Sequence, residues 1–107
     1  MLSIDIVVPT YNRPDDIKKF VDEILSQSYD NFNVFIIDDH GEADLSWLLH
    51  YNSKIHYTRL SKNQGQASAR NIGIKKGVGD IVISLDDDAW FYKDIEALKK
   101  VANYFMQ

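Results

Sequence analysis

At 107 residues, 45% hydrophobic and 26% charged, the chain has the size and make-up of one soluble globular domain and is too short for two. Acidic residues outnumber basic ones 16 to 12, for a net charge of -4, which excludes the basic surface that non-specific nucleic-acid binding needs. Cysteine is absent, so disulfide frameworks, thiolate metal sites and thiol nucleophiles are excluded too. The opening Met1-Leu2-Ser3-Ile4-Asp5 lacks the basic and apolar regions of a secretory signal. No stretch approaches the roughly 20 apolar residues of a membrane span. Together these features predict a cytoplasmic domain.

Ile4, Ile6, Val7 and Val8 form a short β-branched run that predicts a buried strand ending at Pro9. Pro14 suits the first turn of a helix, and Asp15 and Asp16 suit its positive end. Ile17, Phe20, Val21, Ile24 and Leu25 then recur at three- and four-residue steps, giving one apolar helical face. Residues 28–33 read as a polar break before a second strand, Val34 to Ile37, closed by Asp38-Asp39. Leu45, Leu48 and Leu49 predict a short helix. Ile55 to Leu60 predicts a third strand of mixed polarity, nearer a sheet edge. A small-residue helix is expected from Gln66 to Lys76, stopped by Gly77 and Gly79. Ile81 to Leu85 reads as a fourth strand, and Ile95, Leu98, Val101, Ala102 and Phe105 as a last amphipathic helix.

This alternation predicts an α/β domain spanning residues 1–107, with a Rossmann-like, mostly parallel sheet and helices on both faces. Ligands of such sheets bind beyond the carboxyl ends of the strands. Residues 9–13, 38–41, 60–65 and 86–88 should therefore share one rim, where the chemistry is expected.

Asp86-Asp87-Asp88 is the sharpest feature of that rim. Two carboxylates about 5 Å apart repel by roughly 3 kcal/mol at an effective dielectric of 20. Three in succession want a cation, a proton or full solvation. Asp86 and Asp88 can offer oxygens to Mg2+ or Mn2+, whose shell phosphates and water would complete. The alternative is a solvated acidic turn or a helix cap. Asp38-Asp39 is a second acidic pair, able to accept from a ribose hydroxyl or a base N–H, or simply to form a turn. In Pro9-Thr10-Tyr11-Asn12-Arg13-Pro14, Tyr11 offers a ring to stack on a base or to pack, and Arg13 offers charge to a phosphate. Arg70 reads either as a phosphate or aspartate partner at the rim or as a surface ion pair. Asn63-Gln64-Gly65 reads as a turn. His40, His50 and His56 lack metal-ligand spacing, and Trp47 and Trp90 read as packing residues.

The usual dinucleotide and P-loop fingerprints are missing. Residues 6–14, Ile36-Ile37-Asp38-Asp39, the segment from Asn63-Gln64-Gly65 through Ala69-Arg70-Asn71-Ile72-Gly73, and residues 79–88 together resemble the family 2 glycosyltransferases of GT-A fold, in order and over nearly the whole chain. The resemblance implies a nucleotide-sugar site, with Pro9, Thr10 and Tyr11 at the nucleoside and Tyr11 stacked on the base. Asp39 would accept from the base imide, which favours a UDP-sugar, and Arg13 and Arg70 would lie near the nucleotide. It further implies that Asp86 and Asp87 bracket ribose and diphosphate, and that Asp88, with Asp86, binds Mn2+ or Mg2+. Ala89 stands where the family often has a further aspartate, which blurs which carboxylate touches the metal. The implied reaction is metal-dependent, inverting transfer of a sugar to an acceptor hydroxyl on a glycan or glycolipid, as in polysaccharide assembly.

In that family the catalytic base lies in a later half of the domain, and this chain stops at Gln107. It therefore reads as the donor-binding half, an excised fragment or a short natural relative, with nucleotide binding and little or no transfer expected. A catalytically inactive nucleotide-binding or assembly module on the same half-fold is the alternative. A haloacid-dehalogenase-like phosphatase fits less well, because its D-x-D follows the first strand. A receiver domain would need a fifth strand carrying a lysine. The oligomeric state is left open.

Overall fold

The structure is a computed structural model that describes residues 1–91 and 93–107. Four strands, β1 (Ile4–Thr10), β2 (Phe32–Asp38), β3 (Ile55–Arg59) and β4 (Ile81–Ser84), form one parallel sheet in the order β3-β2-β1-β4. Helices α1 (Pro14–Leu25), α2 (Gln66–Ile74) and α3 (Ala97–Phe105) connect or follow them, and a 3-10 helix spans Ser46–His50. The predicted α/β alternation is the one observed. The mixed polarity of β3 does mark an edge strand.

Alternation along each strand sorts the core into two sides. Ile4, Ile6 and Val8 of β1, with Val34 and Ile36 of β2, pack against Ile17, Phe20, Val21 and Ile24 of α1 and Leu98 and Ala102 of α3. Phe35 and Ile37 point the other way, toward Leu60 and Ala69. On that side α2 lies close to the sheet because its residues are small. A Cβ on Gly73 would meet Val7 Cγ1 at 2.4 Å and Ile37 Cγ1 at 3.0 Å. Every residue of β1 is buried, as expected of a central strand covered on both faces.

Several predicted boundaries move. β1 does not stop at Pro9 but continues through Thr10. The Val7 carbonyl accepts from Leu85 N–H on the β4 side. Pro9, two residues on, faces the same side, beyond the last β1–β4 pair, Val7 with Ser84. Its missing donor therefore breaks no ladder bond. The expected polar break ends earlier than predicted, since Phe32 already belongs to β2. The break also holds buried Tyr29, and just before it buried Gln27 donates from Nε2 to the Asp94 carbonyl (2.7 Å) and accepts at Oε1 from Leu98 N–H (3.0 Å), docking the start of α3. Helix α3 begins at Ala97, so Ile95 precedes it and is 54% exposed. Helix α2 ends at Ile74, with Lys75 as its cap.

The sheet order also locates the site. The chain runs from β1 outward to β2 and β3, then returns to lay β4 on the other flank of β1. The carboxyl ends of β1 and β4 thus bound the switch point where crevices form in open α/β sheets. Strand β4 ends beside Val7, three residues short of the tip of β1, and residues 85–88 pass over that tip.

Candidate functional site

A cleft of about 500 Å³ opens at this switch point. It is lined by Pro9, Thr10, Tyr11 and Arg13 after β1, Asp39 after β2, Asn63, Gly65 and Gln66 at the start of α2, and Asp86, Asp87 and Asp88 after β4. Four strand tips thus contribute to one concavity, of a size common for small-molecule sites. Of the sequence-predicted site residues, Arg70 and Asp38 lie off its wall: Arg70 reaches the cleft indirectly, and Asp38 is buried behind it.

The acidic triplet is not uniform. Asp87 is partly buried and accepts a hydrogen bond from the Thr10 hydroxyl (2.9 Å), tying the β4 loop to the tip of β1. Burial pushes its carboxyl above the ordinary aspartate range, against the stabilising Thr10 bond and the nearby Arg13 charge. Asp86 and Asp88 are exposed. Arg70 donates from Nε to Ser84 Oγ (2.7 Å), and its Nη2 lies 4.0 Å from Asp86 Oδ1. The Gln66 amide nitrogen is 3.5 Å from the same oxygen. With the Asp86 side chain 68% exposed, this ion pair orients more than it stabilises. Arg70 thus pairs with an aspartate at the rim.

Asp39 is only 4% exposed. Its Oδ1 accepts from Gln64 N–H (2.7 Å) and its Oδ2 from Gly65 N–H (2.9 Å). The backbone turns at Gly65 (φ 93) into α2. Asp39 thus builds the wall formed by residues 63–66 as well as lining the cleft. Each carboxylate oxygen has a second lone pair, so capacity to accept from a ligand remains. Asp38 is buried further, at 1% exposure, and its oxygens accept from Gly41 N–H (2.9 Å) and the Tyr57 hydroxyl (2.6 Å). Tyr11 stands at the mouth, 49% exposed, more open than a packing role requires. Arg13 pairs with Asp16 (3.3 Å) on the first turn of α1.

Asn63 and Gly65, on the rim segment 60–65 and also legible as a turn, line the cleft. The sequence does not single out Gln66, which lines it too, or Ser84, which holds Arg70. The i, i+4 spacing of Gln66 and Arg70, which places both on one face of α2, was the available signal. The three histidines are all exposed. Trp47 and Trp90 were expected to pack, and they remain 37% and 51% exposed. Trp47 meets Tyr51 edge-on, and Lys19 Nζ lies 5.2 Å from the Trp90 ring centroid.

Among the described residues no three His, Asp or Glu side chains form a ready metal site. The donor chemistry of Asp86 and Asp88 nonetheless fits a hard divalent cation. Such ions are commonly held by one or two carboxylates, with substrate phosphates and water filling the shell. No described helix is long and apolar enough to cross a membrane.

Comparison with known proteins bears on this cleft. The family model for glycosyl transferase family 2 matches residues 5–107. An uncharacterized glycosyltransferase of Rickettsia felis is 38% identical over 93 residues, covering 85% of this chain and 15% of that protein. The amylovoran biosynthesis glycosyltransferase AmsB of Erwinia amylovora is 37% identical over 100 residues, covering 87% and 33%. Among solved structures, S. aureus TarS 1-349 in complex with UDP-GlcNAc superposes with a TM-score of 0.88 at 25% identity, covering 98% of this chain and 31% of that one. The mannosyltransferase PcManGT of Pyrobaculum calidifontis, in complex with GDP-Man and Mn2+, gives 0.75 at 24% identity, covering 94% and 32%. The chain thus spans about a third or less of each of these proteins. With its parallel α/β sheet and a family match over almost its entire length, the chain belongs to glycosyl transferase family 2.

Proposed function

We propose that this chain is the donor-binding part of a glycosyltransferase that takes a nucleotide-sugar, a UDP-sugar first. The observation that carries the reading is the convergence of Tyr11, Asp39 and Asp86–Asp88 from three strand tips on one cleft at the switch point. The likeness to TarS, solved with UDP-GlcNAc, supports a uridine-type donor.

In this reading Tyr11 offers its exposed ring to the base, and Pro9 and Thr10 form the floor beneath the nucleoside. Asp39, already fixed by two amide donors, accepts from the base N–H. Thr10 holds Asp87 toward the ribose side, and Arg13 and Arg70 bring positive charge to a wall that is otherwise acidic. Asp88, with Asp86, would hold Mn2+ or Mg2+, and the cation would neutralise charge on the departing diphosphate. The transfer we assign to the whole protein is inverting. An acceptor hydroxyl, on a glycan or glycolipid, bonds to the anomeric carbon while the bond to the diphosphate breaks on the opposite side. The hydroxyl proton passes to a base that the residues described here do not identify.

Calorimetric titration with UDP, GDP and dTDP, each with and without Mn2+, tests the reading. UDP should bind best, and more tightly with the metal. Equal, metal-independent behaviour toward all three nucleotides would refute it.

A further inference from the structure

Asn12 sits between two cleft residues, Tyr11 and Arg13, but does not itself line the cleft. Its backbone is left-handed, with φ 54, a region that asparagine tolerates better than most residues. Its side chain does more than permit that turn. Oδ1 accepts from the backbone N–H of Glu42 (2.5 Å) and of Ala43 (3.3 Å), thirty residues away in the loop after β2. Gly41, just before them, comes so near that a Cβ would lie 2.8 Å from Asn12 Oδ1 and 3.1 Å from Asp38 Oδ1.

The β2 loop is held from behind as well. Buried Asp38 accepts from Gly41 N–H and from the Tyr57 hydroxyl, and Arg59 Nη2 donates to the Gly41 carbonyl (3.0 Å). Burial, reinforced by the Asp38 charge, raises the Tyr57 hydroxyl above its ordinary value and so keeps it a donor. One end of this braced loop is Asp39. The other end is gripped by Asn12, so a rigid frame reaches the backbone that carries Tyr11 and Arg13.

We propose that Asn12 is a positioning residue, whose carboxamide staples the β2 loop to the β1 loop and thereby sets Tyr11 for the base of a nucleoside diphosphate. The inference rests on the nucleotide-binding reading above. It assigns base affinity to a side chain that does not line the cleft.

Two variants separate the staple from the turn. Asn12→Gly keeps the left-handed backbone and deletes the acceptor, and Asn12→Asp keeps both. Their affinities for UDP and for inorganic pyrophosphate are measured with Mn2+ by calorimetry. Asn12→Gly should lose at least tenfold for UDP and less than threefold for pyrophosphate, which has no base, with Asn12→Asp within threefold of wild type for both. Wild-type UDP affinity in Asn12→Gly, or equal loss for both ligands, overturns the proposal. Should Asn12→Gly not fold by circular dichroism, Tyr57→Phe loosens the same frame from its far side. The same base-selective loss is expected there, and its absence overturns the proposal. A wild-type protein that binds neither UDP nor GDP fails the functional reading itself, which these variant comparisons leave distinguishable.

Discussion

Buried carboxylates stand at both ends of the sheet beside β1, and they are spent differently. At the amino end, Asp5 is 4% exposed and accepts at Oδ2 from Gly79 N–H (2.8 Å). Gly77 and Gly79 press so closely on it that a Cβ on either would lie within 2.7 Å of a carboxylate oxygen. Ser3 and Asp80 complete this clasp with three mutual hydrogen bonds. At the carboxyl end, Asp38 and Asp39 are likewise buried and also hold backbone amides, but Asp39 keeps one edge on a cleft. Beyond it, Asp86 and Asp88 are exposed on the same cleft. An aspartate whose oxygens are consumed by the chain is structural. One that faces open space beside other carboxylates is available for chemistry, and Asp39, bonded to the chain at both oxygens yet on the cleft wall, stands between the two.

That division can be broken residue by residue. Asp39→Asn should have the largest effect, because an amide nitrogen would confront one of two backbone donors. Stability should fall by about 3 kcal/mol, the scale of a lost charge-assisted bond plus an unpaired group. UDP affinity should fall at least tenfold in the same variant, read by thermal melting and calorimetry together. Asp5→Ala should cost about 2 kcal/mol of stability by leaving the Gly79 amide without its partner. Its UDP affinity should stay within twofold of wild type, and a larger loss would join the two ends that the structure separates. Tyr11→Ala should do the reverse, weakening UDP binding by about 1.5 kcal/mol, as for other aromatic platforms. Its melting temperature should be unchanged, and a drop would assign Tyr11 to packing.

The fold was legible because its signals are periodic and local. Apolar runs marked the strands, and the α1 stripe of Ile17, Phe20, Val21 and Ile24 is buried as its spacing predicts. The rule that ligands bind at strand tips places Tyr11, Asp39 and Asp86–Asp88 on one rim from the sequence alone. Periodicity failed at α3, where Ile95 and Phe105 fit the apolar pattern yet are 54% and 59% exposed. A stripe says which residues share a face, not how far the sheet extends beneath it. Hydrogen-bond partnership was also illegible. Nothing in the spacing shows that Asp39 grips amides 25 and 26 residues away, that Thr10 holds Asp87, or that Asn12 reaches Glu42. Those pairings depend on the course of loops that carry no period.

Paramagnetic broadening by Mn2+ in the presence of UDP tests the central claim most directly, since it reports where on the molecule the cation settles. Backbone amide signals of residues 86–89, 10 and 11 should broaden first at low Mn2+, with those of Ser3, Gly79 and Asp80 at the opposite end remaining sharp. Broadening spread over the exposed acids of α1, or centred on the Asp5–Asp80 end, would contradict the account.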